Sequence, residues 1–113
     1  MPGLAQRPCQ SCYQDAVPVA ASERPALLAE LPGWQIDQPG GVHQLFKVYR
    51  FADFAQALDF TNRVGALAED VGHHPALLTE WGRVTVRWWT HAIADLHLND
   101  FILAARTDDL ARE

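Results

Sequence analysis

The sequence predicts an α+β fold in which a four-stranded antiparallel sheet has three helices packed on one face. Three observations lead to this prediction: apolar residues recur at helical spacing in three segments, strand-like segments occur as two pairs with a glycine-containing turn in each, and the helices need one common surface to cover. A chain of 113 residues is long enough for one core and too short for two. We therefore expect residues 1–25 to form a flexible N-terminal tail and residues 26–113 to form a single domain.

The first predicted elements are a short helix and a strand pair. The segment Ala26 to Leu31 carries leucines at helical spacing and stops at Pro32-Gly33, where the pattern ends. Trp34 to Asp37 then leads through Pro39-Gly40-Gly41 into Val42 to Phe51, a run rich in β-branched and aromatic residues. These segments are predicted to be two strands joined by a turn.

The longest helix is predicted to follow Asp53, because apolar side chains recur from there through Ala68 at spacings of three and four. Asp53 is a suitable N-cap, since its carboxylate can accept from the first free backbone N–H groups. Gly72 is a suitable terminator, and Pro75 lies just beyond it, where a helix could not continue.

The second strand pair is predicted at Leu77 to Trp81 and Arg83 to Trp89, joined through Gly82. Apolar and polar residues alternate in the later strand, and the apolar stripe begins at Val84. Continuing the alternation places His91 on the polar face, away from that stripe.

The last helix is predicted from about Leu98 to Arg112, where apolar residues again recur at helical spacing. His97 and Asn99 are the candidate caps at its beginning, and His43 is interpreted as a surface or capping residue. Strands joined by hairpins favour an antiparallel sheet, which completes the predicted fold.

Charge and hydropathy exclude several classes of partner. The formal net charge is −5 with only nine Lys and Arg residues, which argues against direct binding to nucleic acid, because that needs clustered cations. No stretch approaches the roughly 20 apolar residues that span a bilayer, and the N-terminus lacks the charged head and apolar run of a secretion signal. We expect a cytoplasmic protein with no direct nucleic-acid partner and no membrane partner.

Cys9 and Cys12 lie in the predicted tail and form a single Cys-x-x-Cys. A structural zinc site needs four ligands, and the sequence has no second cysteine pair. Ordinary reduced thiols are the favoured interpretation, while labile metal capture and a disulfide within the tail stay open.

The most unusual local feature is the doubled histidine His73-His74 before Pro75, with Glu69 one helical turn earlier. Histidine exchanges a proton near neutral pH, and a nearby carboxylate can orient the ring and support its cationic form. His91 could return beside the pair if the hairpin folds onto it. On these residues alone, a capped helix end is a commoner explanation than an active site, and a metal site lacks an evident third ligand.

The spacing of these residues adds a further argument. Glu69-x-x-x-His73-His74-Pro75, followed by Thr90-His91 and by Asp100, resembles the pterin-4a-carbinolamine dehydratase family. The resemblance covers residues 27–110, and segments 72–82 and 99–107 are similar to the bacterial members associated with phenylalanine hydroxylase. The chain departs from the family at Asp95, where members often have a small residue, and at His97, where a serine commonly caps the last helix.

The resemblance implies an enzyme that dehydrates 4a-hydroxytetrahydrobiopterin to quinonoid dihydropterin and water, and so recycles the tetrahydropterin cofactor of aromatic amino-acid hydroxylases. It implies that no metal and no organic cofactor is used. His73 and His91 become the candidate acids, His74 becomes the candidate base or orienting residue, and Glu69 is assigned to orient His73. The implied substrate-binding residues are His73, His74, Pro75, Thr90, His91, Ala92 and Ile93.

The expected partners are the pterin substrate, further copies of the chain and phenylalanine hydroxylase. Four Trp and five Phe are more large apolar surface than one thin sheet covers, so we predict a homodimer or homotetramer with Trp88, Trp89 or the last helix at its interface. The alternative function is a protein-binding regulatory or dimerisation factor without catalysis, as in animal relatives. The three intact histidines favour the enzyme.

Overall fold

The sheet consists of four antiparallel strands in the order β1-β2-β4-β3 in the computed structural model, which describes residues 3–9 and 17–112. The strands are β1 (Gln35–Asp37), β2 (Gln44–Arg50), β3 (Ala76–Glu80) and β4 (Arg83–Trp88). The helices are α1 (Arg24–Ala29), α2 (Phe54–Val71) and α3 (Leu98–Ala111). The predicted α+β fold, with four antiparallel strands and three helices, is confirmed.

The core lies on one face of the sheet because the strands alternate in polarity. On β4, Val84, Val86 and Trp88 have no exposed surface, whereas Thr85 and Arg87 between them are partly exposed. Helix α2 packs against β3 and β4 on the buried face, and α3 packs against β2 and β4. The predicted parity of β4 is therefore confirmed.

Trp88 corrects one prediction. Its indole is fully buried inside the chain, where Nε1 donates to the Thr107 hydroxyl at 3.1 Å. A side chain with no exposed surface cannot form an interface between copies, so Trp88 is excluded as an interface residue. Packing of α3 onto the sheet is what covers it.

Helix α2 begins and ends where its sequence predicts. The Asp53 side chain accepts from the backbone N–H of Gln56, and the left-handed Gly72 (φ 67°) ends the helix. Because Gly72 reverses the chain without steric cost, His73 turns back toward the body of the domain, where its N–H bonds to the carbonyl of Ala68.

Helix α3 carries a buried aspartate near each end. Asp100, in the first turn, has no exposed surface, and its carboxylate accepts from the backbone N–H of His97. Of the two predicted cap candidates, His97 is the N-cap, and its imidazole accepts from the backbone N–H of Asn99. This reciprocal arrangement is a capping box, which satisfies N–H groups that a helix otherwise leaves open.

Asp108, in the last turns of α3, lies in a second buried cluster. Its carboxylate accepts from Trp34 Nε1 at 3.1 Å, from Lys47 Nζ at 2.9 Å and from the Tyr49 hydroxyl. Burial, and next the hydrogen bond to Asp108, raise the pKa of Tyr49 above its ordinary value. The cluster joins α3 to β2 and to the segment before β1.

Residues 3–9 fall in the segment predicted to be a tail. Leu4 is 3% exposed and belongs to the core, and Arg106 on α3 donates to the carbonyls of Ala5 and Arg7. Cys9 is partly buried against the same core, whereas Cys12 lies outside the described residues. Within the described part of the chain, no helix is long and apolar enough to cross a membrane.

Candidate active site

The end of α2 and the loop after β4 border an open cavity of about 210 Å³. The loop runs from Thr90 through a 3-10 turn (His91–Ile93) to the beginning of α3. The structure therefore brings His91 beside the His73-His74 pair, although the residues are far apart in sequence. The cavity is lined by Gly72, His73, His74, Thr90, His91 and Ala92. Pro75 and Ile93 are not among these lining residues.

His73 is the buried histidine of the site, with 6% of its surface exposed. Its Nε2–H donates to Oδ1 of Asp100 at 2.7 Å. The other oxygen of Asp100 accepts from the Thr90 hydroxyl at 2.8 Å and from the His97 backbone N–H at 2.9 Å. The buried Asp100 carboxylate thus holds three groups in place. They are the His73 ring, the Thr90 hydroxyl in the loop after β4, and the His97 backbone N–H at the beginning of α3.

His74 is held differently. Its side chain is 59% exposed, and Nε2 lies 2.5 Å from Oε2 of Glu69. The prediction assigned Glu69 to His73, but Glu69 pairs with His74, and Asp100 is the carboxylate that pairs with His73. The physical reason is that Gly72 turns the first imidazole inward and leaves the second on the surface beside the helix it follows.

His91 has neither kind of partner. Among residues 3–9 and 17–112, no hydrogen bond or ion pair reaches its imidazole, which instead stacks on the Trp89 indole with ring centroids 4.3 Å apart and planes 19° apart. Trp88, on the opposite face of β4, lies against His73 at 5.8 Å between centroids. The consecutive tryptophans therefore each support one histidine of the site.

His97 is the N-cap of α3 and does not line the cavity. Burial lowers the pKa of His97, the nearby Asp100 carboxylate opposes this effect, and His73 adds to it. The net result is a lowered pKa, which agrees with the role of its Nδ1 as a hydrogen-bond acceptor for Asn99.

The arrangement is suited to proton transfer. Three imidazoles line one cavity, one of them buried against a carboxylate, one exposed beside a carboxylate and one exposed against an aromatic ring. Imidazoles in such different settings can donate and accept protons on a single bound molecule. No group of three or more His, Cys, Asp or Glu residues that could hold a metal ion occurs within residues 3–9 and 17–112.

Sequence reasoning did not assign Asp100 or Trp89 a role in the site. Asp100 had a signal, because it stands three residues after His97 at the spacing of a capping box. Its second function, holding His73, joins residues 27 positions apart and depends on how α3 docks beside Gly72. The stacking of Trp89 on His91 depends on the 3-10 turn and has no local sequence signal.

Comparisons with known proteins agree on one family. The family model described as "Pterin 4 alpha carbinolamine dehydratase" matches residues 17–110. A relative from Microcystis aeruginosa, named "Putative pterin-4-alpha-carbinolamine dehydratase", is 53% identical over 113 residues, which cover all of this chain and 97% of the relative.

Two solved structures have similar folds. A transcriptional coactivator/pterin dehydratase from Brucella melitensis matches with a TM-score of 0.75 and 27% identity, over 84% of this chain and 99% of that one. A pterin dehydratase-like protein described as a RuBisCO assembly factor in the alpha-carboxysome matches with a TM-score of 0.59 and 29% identity, over 70% of this chain and 89% of that one.

Proposed function

Because the chain belongs to the pterin 4 alpha carbinolamine dehydratase family and is a dehydratase, we propose that His73, His74 and His91 carry out its reaction. The observation that carries this proposal is the single cavity that all three imidazoles line. The proposed substrate is 4a-hydroxytetrahydrobiopterin, and the proposed products are quinonoid dihydropterin and water.

The reaction needs two proton transfers and no change of oxidation state. The bond from C4a to the hydroxyl oxygen breaks, and the hydroxyl leaves as water after receiving a proton. The adjacent ring nitrogen loses its proton, and its electron pair forms the new carbon–nitrogen double bond. One group must therefore donate a proton and another must accept one, which positioned side chains accelerate by about 10²–10⁴-fold.

His73 and His91 are the proposed acids. They approach the cavity from different elements, one after α2 and one after β4, so each can reach a hydroxyl from its own side. Asp100 fixes the orientation of His73 and offsets the positive charge of its protonated form. His74, exposed and oriented by Glu69, is the proposed base or the residue that orients the pterin.

The remaining residues of the proposed binding site shape the cavity. Thr90 and Ala92 line it, while Pro75 and Ile93 stand next to lining residues in sequence. The hydroxyl of Thr90 is already used by Asp100, so we propose that Thr90 acts mainly by holding that carboxylate in place.

We also propose that the product serves to recycle the tetrahydropterin cofactor of an aromatic amino-acid hydroxylase in the cytoplasm. The support is the similarity of segments 72–82 and 99–107 to bacterial members associated with phenylalanine hydroxylase. That hydroxylase is the proposed partner.

An assay with freshly generated 4a-hydroxytetrahydropterin tests the proposed reaction. The substrate dehydrates unaided, so the measurement is the increase of its rate of decay above the spontaneous rate, followed by absorbance. We expect catalytic amounts of the folded chain to accelerate the decay. A folded chain that leaves the spontaneous rate unchanged contradicts the proposed function.

Protein binding is a second candidate function, which one observation favours. Phe54 and Leu58, one turn apart on α2, remain 44% and 43% exposed. We propose that the chain forms homo-oligomers, and apolar side chains at this spacing suit a helix that packs against another helix. Light scattering should give a multiple of the chain mass for the parent and a smaller mass for a Phe54→Ser, Leu58→Ser variant. A monomeric parent at micromolar concentration contradicts the proposed oligomer.

A further inference from the structure

The loop that carries His91 is closed at its base by backbone hydrogen bonds. The N–H of Thr90 donates to the carbonyl of Asp95 at 2.9 Å, and the N–H of Asp95 donates to the carbonyl of Thr90 at 3.5 Å. Between them lie the 3-10 turn and Ala94, which has a positive φ of 49°. The His91 imidazole has no polar partner among the described residues, so the backbone of this loop and the stacked Trp89 indole determine where the ring stands.

Asp95 joins the base of the loop to a distant segment. Its Oδ1 accepts from the backbone N–H of Leu96 at 2.8 Å and from Arg24 Nη2 at 3.1 Å. His43 Nδ1 lies 3.6 Å from the same oxygen. The carboxylate is 30% exposed and the guanidinium 12% exposed, so the pair is only partly screened by solvent.

Arg24 is itself fixed before it reaches Asp95. Its Nε and Nη2 donate to the carbonyl of Val19 at 3.0 and 2.9 Å, and the N–H of Val19 donates to the carbonyl of Leu96 at 2.8 Å. Residues 19, 24, 95 and 96 therefore form a closed set of hydrogen bonds. Burial raises the pKa of Asp95, but the Leu96 N–H and Arg24 outweigh it, so the pKa is lowered and the carboxylate is charged at neutral pH.

We propose that Asp95, held by Arg24, is a positioning residue that sets the location of His91 relative to His73. The proposal rests on the proposed function for its effect on rate. A general acid that is misplaced by about 1 Å can lose on the order of 10²-fold in rate, so a partial release of the loop has a measurable effect. Asp95 does not itself line the cavity, and its backbone bonds to the lining residue Thr90 at the base of the loop, so its effect on His91 passes through the loop.

A double-mutant cycle between Asp95 and His91 tests this role. We expect Asp95→Ala to lower kcat by about 10-fold and to change KM by less than about 2-fold, because the acid is needed in the transition state. In a His91→Ala background, the same substitution should change kcat by less than about 2-fold. Equal losses in both backgrounds overturn the proposal, because a merely structural effect is independent of His91.

Two further variants separate the parts of the contact. Asp95→Asn keeps an oxygen for the Leu96 N–H but removes the ion pair with Arg24, so we expect a smaller loss of about 3-fold. Asp109→Ala is the matched control, because it removes an aspartate that pairs with Arg112 on the exposed end of α3 at 2.7 Å. Asp109→Ala should change kcat by less than about 2-fold. If Asp95→Ala does not fold, the cycle is run with Asp95→Asn.

A spectroscopic readout keeps this test apart from the proposed function. The stacked Trp89 indole shifts the ring-proton resonances of His91 through its ring current, so those resonances report the position of the ring. Asp95→Ala should move the His91 resonances and leave those of His74 in place. Unchanged His91 resonances overturn the proposal, even if the parent chain proves to have no dehydratase activity.

Discussion

The two ends of α3 use the same buried group for different purposes. Near the beginning of the helix, Asp100 accepts from His73, Thr90 and the backbone of His97. Near its end, Asp108 accepts from Trp34, Lys47 and Tyr49. Each carboxylate is buried, each has at least three donors, and each links α3 to other parts of the fold.

The difference lies in what the partners can do. Two of the partners of Asp100, His73 and Thr90, line the cavity, whereas no partner of Asp108 does. Burial raises the pKa of Tyr49 beside Asp108, so that hydroxyl keeps its proton at neutral pH and serves as a fixed donor. A buried carboxylate is therefore not a sign of function by itself. The chemistry of its partners, and their access to a cavity, distinguish the site from the scaffold.

The largest expected effects on stability and activity come from replacing Asp100 and Asp108, one at a time. Asp100→Ala and Asp108→Ala each leave buried donors without an acceptor, so each should lower the free energy of unfolding by about 2–5 kcal/mol. Asp100→Ala should in addition lower kcat/KM by about 10²-fold, because His73 loses its orientation. Thermal denaturation and the dehydratase assay measure the two effects.

Asp108→Ala is the control for this pair, and its kcat/KM should stay within about 3-fold of the parent value at a temperature where both proteins are folded. Where an alanine variant does not fold, the asparagine variants replace both. Equal losses of activity in the two variants contradict the separation of site and scaffold.

Replacing either of the two proposed acids should lower activity, but only one of the two replacements should also lower stability. His91→Ala should lower kcat/KM by about 10–10²-fold and leave the free energy of unfolding within about 0.5 kcal/mol, since the ring is exposed and has no polar partner among the described residues. His73→Ala should lower both, because it also removes the buried partner of Asp100, at a cost of about 1–3 kcal/mol. Denaturant unfolding of both variants checks the difference. A stability loss as large in His91→Ala as in His73→Ala argues against it.

The capping histidine predicts a pH dependence of stability. The pKa of His97 is lower in the folded chain than its ordinary value of 6.5, chiefly through burial. The unfolded chain therefore binds the proton more readily than the folded chain. The contribution of His97 to the free energy of unfolding is complete above pH 6.5 and declines as the pH falls through 6.5 toward the lower pKa of the folded chain.

His97→Ser keeps a cap oxygen and removes the titrating group, so its stability should decline less between pH 7 and pH 5 than that of the parent. Thermal denaturation across that pH range gives the comparison. His73 and Asp100 adjoin His97 and are present in both proteins. The quantity compared is therefore the difference in stability between the parent and His97→Ser at each pH. Parallel pH profiles would show that His97 does not contribute.

Replacing Glu69 should have the smallest effect on stability and activity. Its carboxylate and His74 are both largely exposed, and such surface pairs contribute about 0–1 kcal/mol. Glu69→Gln should leave the free energy of unfolding within about 0.5 kcal/mol and lower kcat/KM by no more than about 3-fold. A loss of activity as large as that of Asp100→Ala would contradict the assignment of the main supporting role to Asp100.

Local signals predicted much of the fold. Asp53, Gly72 and His97 were recognised as helix boundaries, because capping depends on residues within three or four positions. The pairing of the carboxylates was predicted wrongly for the complementary reason. Glu69 precedes His73 by four residues, one helical turn, but a left-handed Gly72 and the docking of α3 decide which acid each ring meets.

The most direct test of the proposed chemistry is the rate of dehydration by the His73→Ala, His91→Ala double variant. The two acids are proposed to serve the same hydroxyl from different elements, so their combined removal should reduce the rate nearly to the spontaneous decay of 4a-hydroxytetrahydropterin. Circular dichroism should show that the variant keeps the helices and the sheet of the parent. A folded double variant that dehydrates the substrate as fast as the parent contradicts the assignment of both histidines.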